Sequence, residues 1–244
     1  MRSVATAAAL FMAMGATQAL EPVQELVGQA YDKESGELLY TEVHQFRYDA
    51  NNQPIADEVE YTSPEGVRLG GKSVDFQQSL FVPSFATELS NSGYEEGLRR
   101  KGEGLEMYRQ KPGEEQAQTN AVDSSRCEAA DAGFHPYVQA NFDTLLKGDP
   151  VSFRFCVVSS LRSVKFKAER LEDGEIEGVS TVRIKVSVAS LLGLFVDPLI
   201  LSYNPANKDL IEYIGISNVR DDEGKAYQIR MRYPIRQTPT QPEA

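Results

Sequence analysis

"STVRIKVSV", residues Ser180 to Val188, alternates without a break. Val182, Ile184, Val186 and Val188 fall on one side of an extended chain, and Thr181, Arg183, Lys185 and Ser187 on the other. Successive side chains of a strand point to opposite faces, so this stretch is a strand with one apolar and one wet face. One-sided strands of this kind belong to antiparallel sheets, because parallel sheets are buried on both faces. The same grammar recurs nearby. "VKFKAER" sets Val164, Phe166 and Ala168 against Lys165, Lys167 and Glu169, and "AYQIRMRY" sets Tyr227, Ile229, Met231 and Tyr233 against Gln228, Arg230 and Arg232. In "VSFRFCVV", Phe153, Phe155 and Val157 share a face opposite Arg154 and Cys156, and that face is expected to be buried.

Turn signals separate these runs. "YDANNQP" lies between "LLYTEVHQFRY" and "IADEVEY", "LEDGEIEG" precedes the opening strand, and "RDDEGK" precedes "AYQIRMRY". Asn, Asp and Gly tolerate left-handed backbone or pin turns with their side chains, so adjacent strands read as a meander of hairpins. The predicted fold is mainly β within the α+β class. It is a curved antiparallel meander sheet, or half-barrel, interrupted by one or two helices. "FHPYVQANFDTLLKGDP" predicts one helix, with Val138, Phe142, Leu145 and Leu146 at helical spacing, Gly148 as cap and Pro150 as stop. "EPVQELVGQAYD" is a candidate second helix. "KGEGLEMYRQKPGEEQAQTNAVDSS" is polar and aperiodic and reads as a long loop. Residues 20–234 therefore form a single β-rich domain with a polar loop near 101–133, followed by a flexible tail at 235–244. "YDKESGELL" from Tyr31 and "YNPANKDLI" from Tyr203 match in type and spacing, which fits either shared hairpin grammar or two related β halves.

Residues 1–19 have the parts of a secretory signal peptide: Arg2, an apolar run from Val4 to Met14, and small residues at Thr17 and Ala19. Cleavage is expected after Ala19, giving a soluble periplasmic or secreted protein. The apolar run is too short to span a bilayer, which takes about 20 apolar residues. Formal net charge is -11, which disfavours nucleic acid and anionic lipid surfaces as partners. An apolar content of 41% supports a packed core. The two cysteines, Cys127 and Cys156, form a candidate disulfide, since an even count in an exported chain favours a bond; two separate thiols are the alternative.

The segments "GKSVDF", "GYEEGL", "FVDPLILSYN" and "GISNVRDDEGK", in this order after a signal peptide, resemble a family of uncharacterised bacterial secreted proteins. The wider architecture is similar to the half-barrel of periplasmic lipoprotein carriers, whose concave side holds acyl chains. That likeness is one of fold and transfers no functional residue.

No catalytic signature is present. His44 and His135 lack HExxH, HxH or CxxC neighbours, so no metal site is indicated; His44 reads as a sheet-face residue and His135 as a helix-start residue. No G-x-S-x-G elbow, S-x-x-K box, G-x-G-x-x-G or P-loop occurs, and no cofactor is implied. The carboxylates are too evenly spread to single out a pair.

One run stands out from this charged chain: "VASLLGLFVDPLILSY", Val188 to Tyr203. Asp197-Pro198 cuts it, so no membrane span is expected. Leu191, Leu192, Leu194 and Phe195 are either a segment buried on both sides or an apolar flap over the concave face. The leading expectation is an exported, non-enzymatic protein binding an apolar, acyl-chain-like small molecule or lipid on that face. Its candidate ligand residues are Leu191, Leu192, Leu194, Phe195, Phe153 and Phe155. The alternatives are a structural or interaction protein of the cell envelope with a filled core and no ligand, and a hydrolase without a recognisable signature.

Overall fold

A computed structural model describes residues 23–189 and 197–236. The expected signal peptide, most of the tail, and Leu191, Leu192, Leu194 and Phe195 lie outside the described residues. Eight strands come first: β1 (Val23–Asp32), β2 (Leu38–Tyr48), β3 (Pro54–Thr62), β4 (Arg68–Asp75), β5 (Ser84–Leu89), β6 (Tyr94–Lys101), β7 (Gly104–Gln110) and β8 (Gln118–Val122). Two short helices follow, α1 (Phe134–Ala140) and α2 (Phe142–Leu146). The chain then returns to strands β9 (Val151–Val157), β10 (Arg162–Arg170), β11 (Gly174–Ile176), β12 (Val179–Val188), β13 (Leu199–Tyr203), β14 (Leu210–Arg220) and β15 (Ala226–Arg232).

All the strands join one antiparallel sheet, in the order β8-β7-β6-β5-β4-β3-β2-β1-β15-β14-β13-β12-β10-β9, with β11 attached to β12. This is a meander with a single long-range join, β1 to β15, in its middle. The sheet curls until distant strands meet. Leu89 of β5, Tyr94 of β6 and Val219 of β14 share one buried cluster, although five strands separate β5 from β14 along the ladder.

The curl does not close by strand pairing, because β8 and β9 are edges. The connector after β8 seals the seam instead. It runs along β9, with Glu128 N–H donating to the Arg154 carbonyl at 2.8 Å and Cys156 N–H to the Ala129 carbonyl at 3.0 Å. The Asn120 amide of β8 donates to the Leu161 carbonyl beyond β9 at 2.9 Å. The Cys127–Cys156 disulfide staples the same seam, with the two Cα atoms 5.5 Å apart. Covering an edge in this way hides N–H and C=O groups that would otherwise pair with another chain.

The alternating strands predicted at "VKFKAER", "STVRIKVSV" and "AYQIRMRY" are β10, β12 and β15, with their apolar residues turned inward. Three expectations need correction. "EPVQELVGQAYD" is not a helix: it carries β1, paired on both sides. Neighbours on two edges outweigh a weak helical period. Gly28 on this strand faces Glu42, and a Cβ there would sit 2.8 Å from the Tyr233 ring and 2.9 Å from Met231 Sδ. Residues 101–125 are not a loop, since β7 and β8 lie within them. The predicted helix breaks at Asn141 into α1 and α2, and Gly148, at φ 87°, ends the pair as expected. The echo between Tyr31 and Tyr203 includes shared turn chemistry. Asp32 and Asn204 each accept backbone N–H groups two residues on, and the turns contain Gly36 and Lys208 at φ 74° and 59°.

Candidate functional site

The inner face of the curl has two chemically different halves. From β9 to β13 it is apolar: Phe153, Ala168, Val182, Ile184, Val186, Leu201 and Tyr203 form one cluster. Helices α1 and α2 lie on this half. Val138, Phe142 and Leu145 are at most 1% exposed in that contact. Of the expected ligand residues, Phe153 is 2% exposed beneath α1, its ring 4.9 Å from that of Tyr137 and 6.0 Å from that of Phe134. Phe155 is half-buried and meets Phe134 and Phe166 edge to face, at 5.6 and 5.8 Å. Of the face predicted at "VSFRFCVV", Phe153 is buried beneath the chain's own helices and Phe155 and Val157 are half-buried, while Cys156, expected opposite them, is only 1% exposed where it bonds Cys127.

From β2 to β6 the inner face is mixed: apolar side chains such as Tyr40, Val59, Val74, Phe85, Leu89 and Leu98 surround buried charged groups. Glu42 and His44 sit two apart on β2, and Asp57 lies on the neighbouring β3. His44 Nδ1 is 2.7 Å from Asp57 Oδ2, and its Nε2 is 3.1 Å from Glu42 Oε1. The Tyr233 hydroxyl donates to the same Glu42 oxygen at 2.7 Å. Burial disfavours the charged imidazole, but the bonds to Asp57 and Glu42 outweigh it and raise the His44 pKa to about 10. Burial likewise opposes charge on Glu42, yet the bonds from His44 and Tyr233 hold its carboxyl below the usual range. His44 therefore keeps its proton through the neutral range and has no free lone pair with which to act as a base.

A second buried pair lies deeper. Lys72 of β4 donates to Asp131 Oδ1 at 2.6 Å, with side chains only 7% and 8% exposed. Asn218 of β14 donates to the other oxygen at 3.2 Å. Asp131 belongs to the turn entering α1, so this contact ties the helical insert to both walls of the curl. Burial pushes the Glu96 carboxyl up, although the Tyr94 hydroxyl donates to it at 2.7 Å. His135, at the start of α1, stacks on Tyr203 with ring centroids 5.6 Å apart. Burial lowers its pKa to about 4.

Among the described residues, no group of three or more His, Cys, Asp or Glu is placed to hold a metal ion, and no helix is long and apolar enough to cross a membrane. Sequence reasoning missed the histidine clamp. A signal was present: alternation in "IADEVEY" puts Asp57 on the same face as Val59 and Tyr61, and alternation in "LLYTEVHQFRY" puts Glu42 with His44. What the sequence lacked was the register that brings the two strands together.

Fold and interior together define an open β-barrel-like protein whose lumen holds its own helices and ion pairs. A crystal structure of a "beta-barrel-like protein of domain of unknown function DUF1849" from Brucella abortus has the same fold, with a TM-score of 0.50 at 9% identity over 88% of this chain and 95% of that one. No family model matches the chain, and no curated protein matches its sequence. The resemblance to uncharacterised bacterial β-rich proteins thus holds at the level of fold, and this neighbour adds no specific likeness to lipoprotein carriers.

Proposed function

We propose that the chain is an exported, non-enzymatic protein of the bacterial cell envelope, that its lumen is filled by its own side chains, and that it works through its outer surface and rims. One observation carries this reading: α1 and α2 cover the apolar face of β9–β13, and the remaining apolar side chains of the concave face pack into clusters of their own. Small-molecule pockets are mostly apolar cavities of roughly 300–1,000 Å3. Two clefts of that size among the described residues, about 450 and 480 Å3, are lined instead by charged side chains such as Arg109, Lys111 and Arg220, or Asp32, Arg230 and Arg232. Export is supported by the leader-like residues 1–19 and by the Cys127–Cys156 bond, since disulfides persist in oxidising compartments.

A second reading, a carrier of an apolar ligand, is favoured by one feature. Phe155 and Phe166 are only half-buried. Beside them Ala189, bonded to the Lys165 carbonyl, leads into residues 190–196. In that reading Leu191, Leu192, Leu194 and Phe195 join Phe153 and Phe155 at the ligand. Titration with a fluorescent fatty-acid probe separates the two. The filled-lumen reading expects no saturable binding at micromolar protein. Saturable binding that Leu194→Asp abolishes, with the melting temperature unchanged, overturns it in favour of the carrier.

A further inference from the structure

The chain has 36 acidic and only 25 basic residues. Even so, three basic side chains, Arg109, Lys111 and Arg220, converge on the cleft of about 450 Å3, where Glu223 is the one carboxylate in the lining. The cleft lies at the end of the barrel where the β5–β6, β7–β8 and β14–β15 hairpins gather with the turn after β9. Among the described residues, no carboxylate oxygen comes within 4.0 Å of a side-chain nitrogen of any of the three cations, whereas Lys72, Arg99 and Arg232 each have such a partner.

Both guanidinium groups are held in place by neutral contacts. Arg220 lies over the Tyr94 ring, its Cζ 3.8 Å from the centroid, and donates to the Gly224 carbonyl at 3.1 Å. Arg109 donates to the Ser159 carbonyl and to Gln118 Oε1. Each guanidinium has five N–H donors, so these partners leave several unused. The Nε–H groups of both are buried with no acceptor. Fixed guanidinium forks without a carboxylate in direct contact match the paired oxygens of a phosphate or carboxylate, although buried Glu96 lies close enough to feel the charge of Arg220; losing little side-chain freedom on binding favours affinity. Two guanidiniums and an ammonium against one carboxylate leave a net charge of +2, which suits a dianion better than a carboxylate. The Tyr94 ring and Pro112 offer an apolar wall for the group that bears the anion.

We propose that this cleft binds the phosphate group of a phosphate monoester. It lies outside the filled lumen, so this assignment stands whether or not an acyl chain binds elsewhere. The test is a two-dimensional amide NMR titration of the full chain with inorganic phosphate and with glycerol 3-phosphate at low ionic strength, using acetate as control. Lys111 is exposed and its side chain makes no hydrogen bond or ion pair among the described residues, so Lys111→Glu is expected to leave the structure intact. Arg220→Gln is the second variant, with melting temperature checked for both. The expected result is saturable shifts confined to residues 94, 109–112 and 220–224. They should be at least about tenfold weaker in Lys111→Glu, the size of effect that removing one close charge and adding another produces. Co-sedimentation with phosphatidic acid vesicles would assign the phosphate to a lipid headgroup. Binding of glycerol 3-phosphate without vesicle binding would assign it to a soluble ester. The proposal is overturned if no amide in the cleft shifts, if acetate binds as well as phosphate, or if Lys111→Glu retains its fold and binds phosphate undiminished.

Discussion

His44 and His135 are both partly buried, and their surroundings push them in opposite directions. The folded pKa of His44, about 10, lies above its ordinary value of 6.5. Its contribution to stability is therefore complete below about 6.5 and is lost as pH rises toward 10. His135, at about 4, is depressed. The unfolded chain accepts a proton that the folded protein refuses, so stability is also lost as pH falls from about 6.5 through 4. Together the two predict greatest stability near neutrality, at about pH 6.5–7. Urea melts between pH 4 and 10 check this. His135→Phe should flatten the acid limb. His44→Gln should flatten the alkaline limb while costing about 3–5 kcal/mol at neutral pH, because Glu42 and Asp57 are left buried without their cation. An alkaline limb of unchanged slope in His44→Gln would contradict the clamp. At Gly28, substitution by Val drives a side chain into Met231 and Tyr233. A loss of about 1–3 kcal/mol is expected, as for other overpacked sites.

At the scale of elements, the distinction between Phe153 and Phe155 carries the packing argument. Both face inward on β9, but only Phe153 lies fully beneath α1. Phe153→Ala should cost about 3–5 kcal/mol. Phe155→Ala should cost clearly less, because a half-buried ring gives up less contact. Chemical denaturation of both variants decides it, and equal costs would mean that the helix does not distinguish the two rings. The strands that were legible in the sequence are those with an uninterrupted apolar face, such as β10, β12 and β15. β8 was not legible, because it is an exposed edge whose side chains bury almost nothing and so leave no apolar period. β7 carries Leu105 and Met107 inward, but its flanking charges and glycines mask the alternation. β1 was misread because "VQELVGQAYD" supports either period weakly, and its partners, β2 and β15, lie at opposite ends of the chain. The helical insert was found in sequence. Its place inside the curl was not, because that depends on the contact of Asp131 with Lys72 and Asn218, residues far apart in the chain.

For the whole molecule, the decisive feature is a barrel-like curl that closes through a connector rather than a strand pair. Cys127 and Cys156 tie that seam across a sequence separation of 29. The double variant Cys127→Ser, Cys156→Ser should lose about 2–4 kcal/mol of stability. In hydrogen exchange, protection should fall first in β8, β9 and the connector between them, while β1–β4 and β14–β15 keep theirs. Uniform loss of protection would mean that the bond supports the whole sheet and not the seam. The compartment implied by this bond, the charged clefts and the helix-filled apolar half all bear on one central claim, that the lumen holds no cargo. Native mass spectrometry of the protein taken from the envelope of a bacterial host, without detergent exchange or reduction, tests this most directly. The expected spectrum is that of the processed chain alone, two hydrogens lighter than its reduced form. A retained lipid or fatty-acid mass, released when the helices unfold, would contradict it.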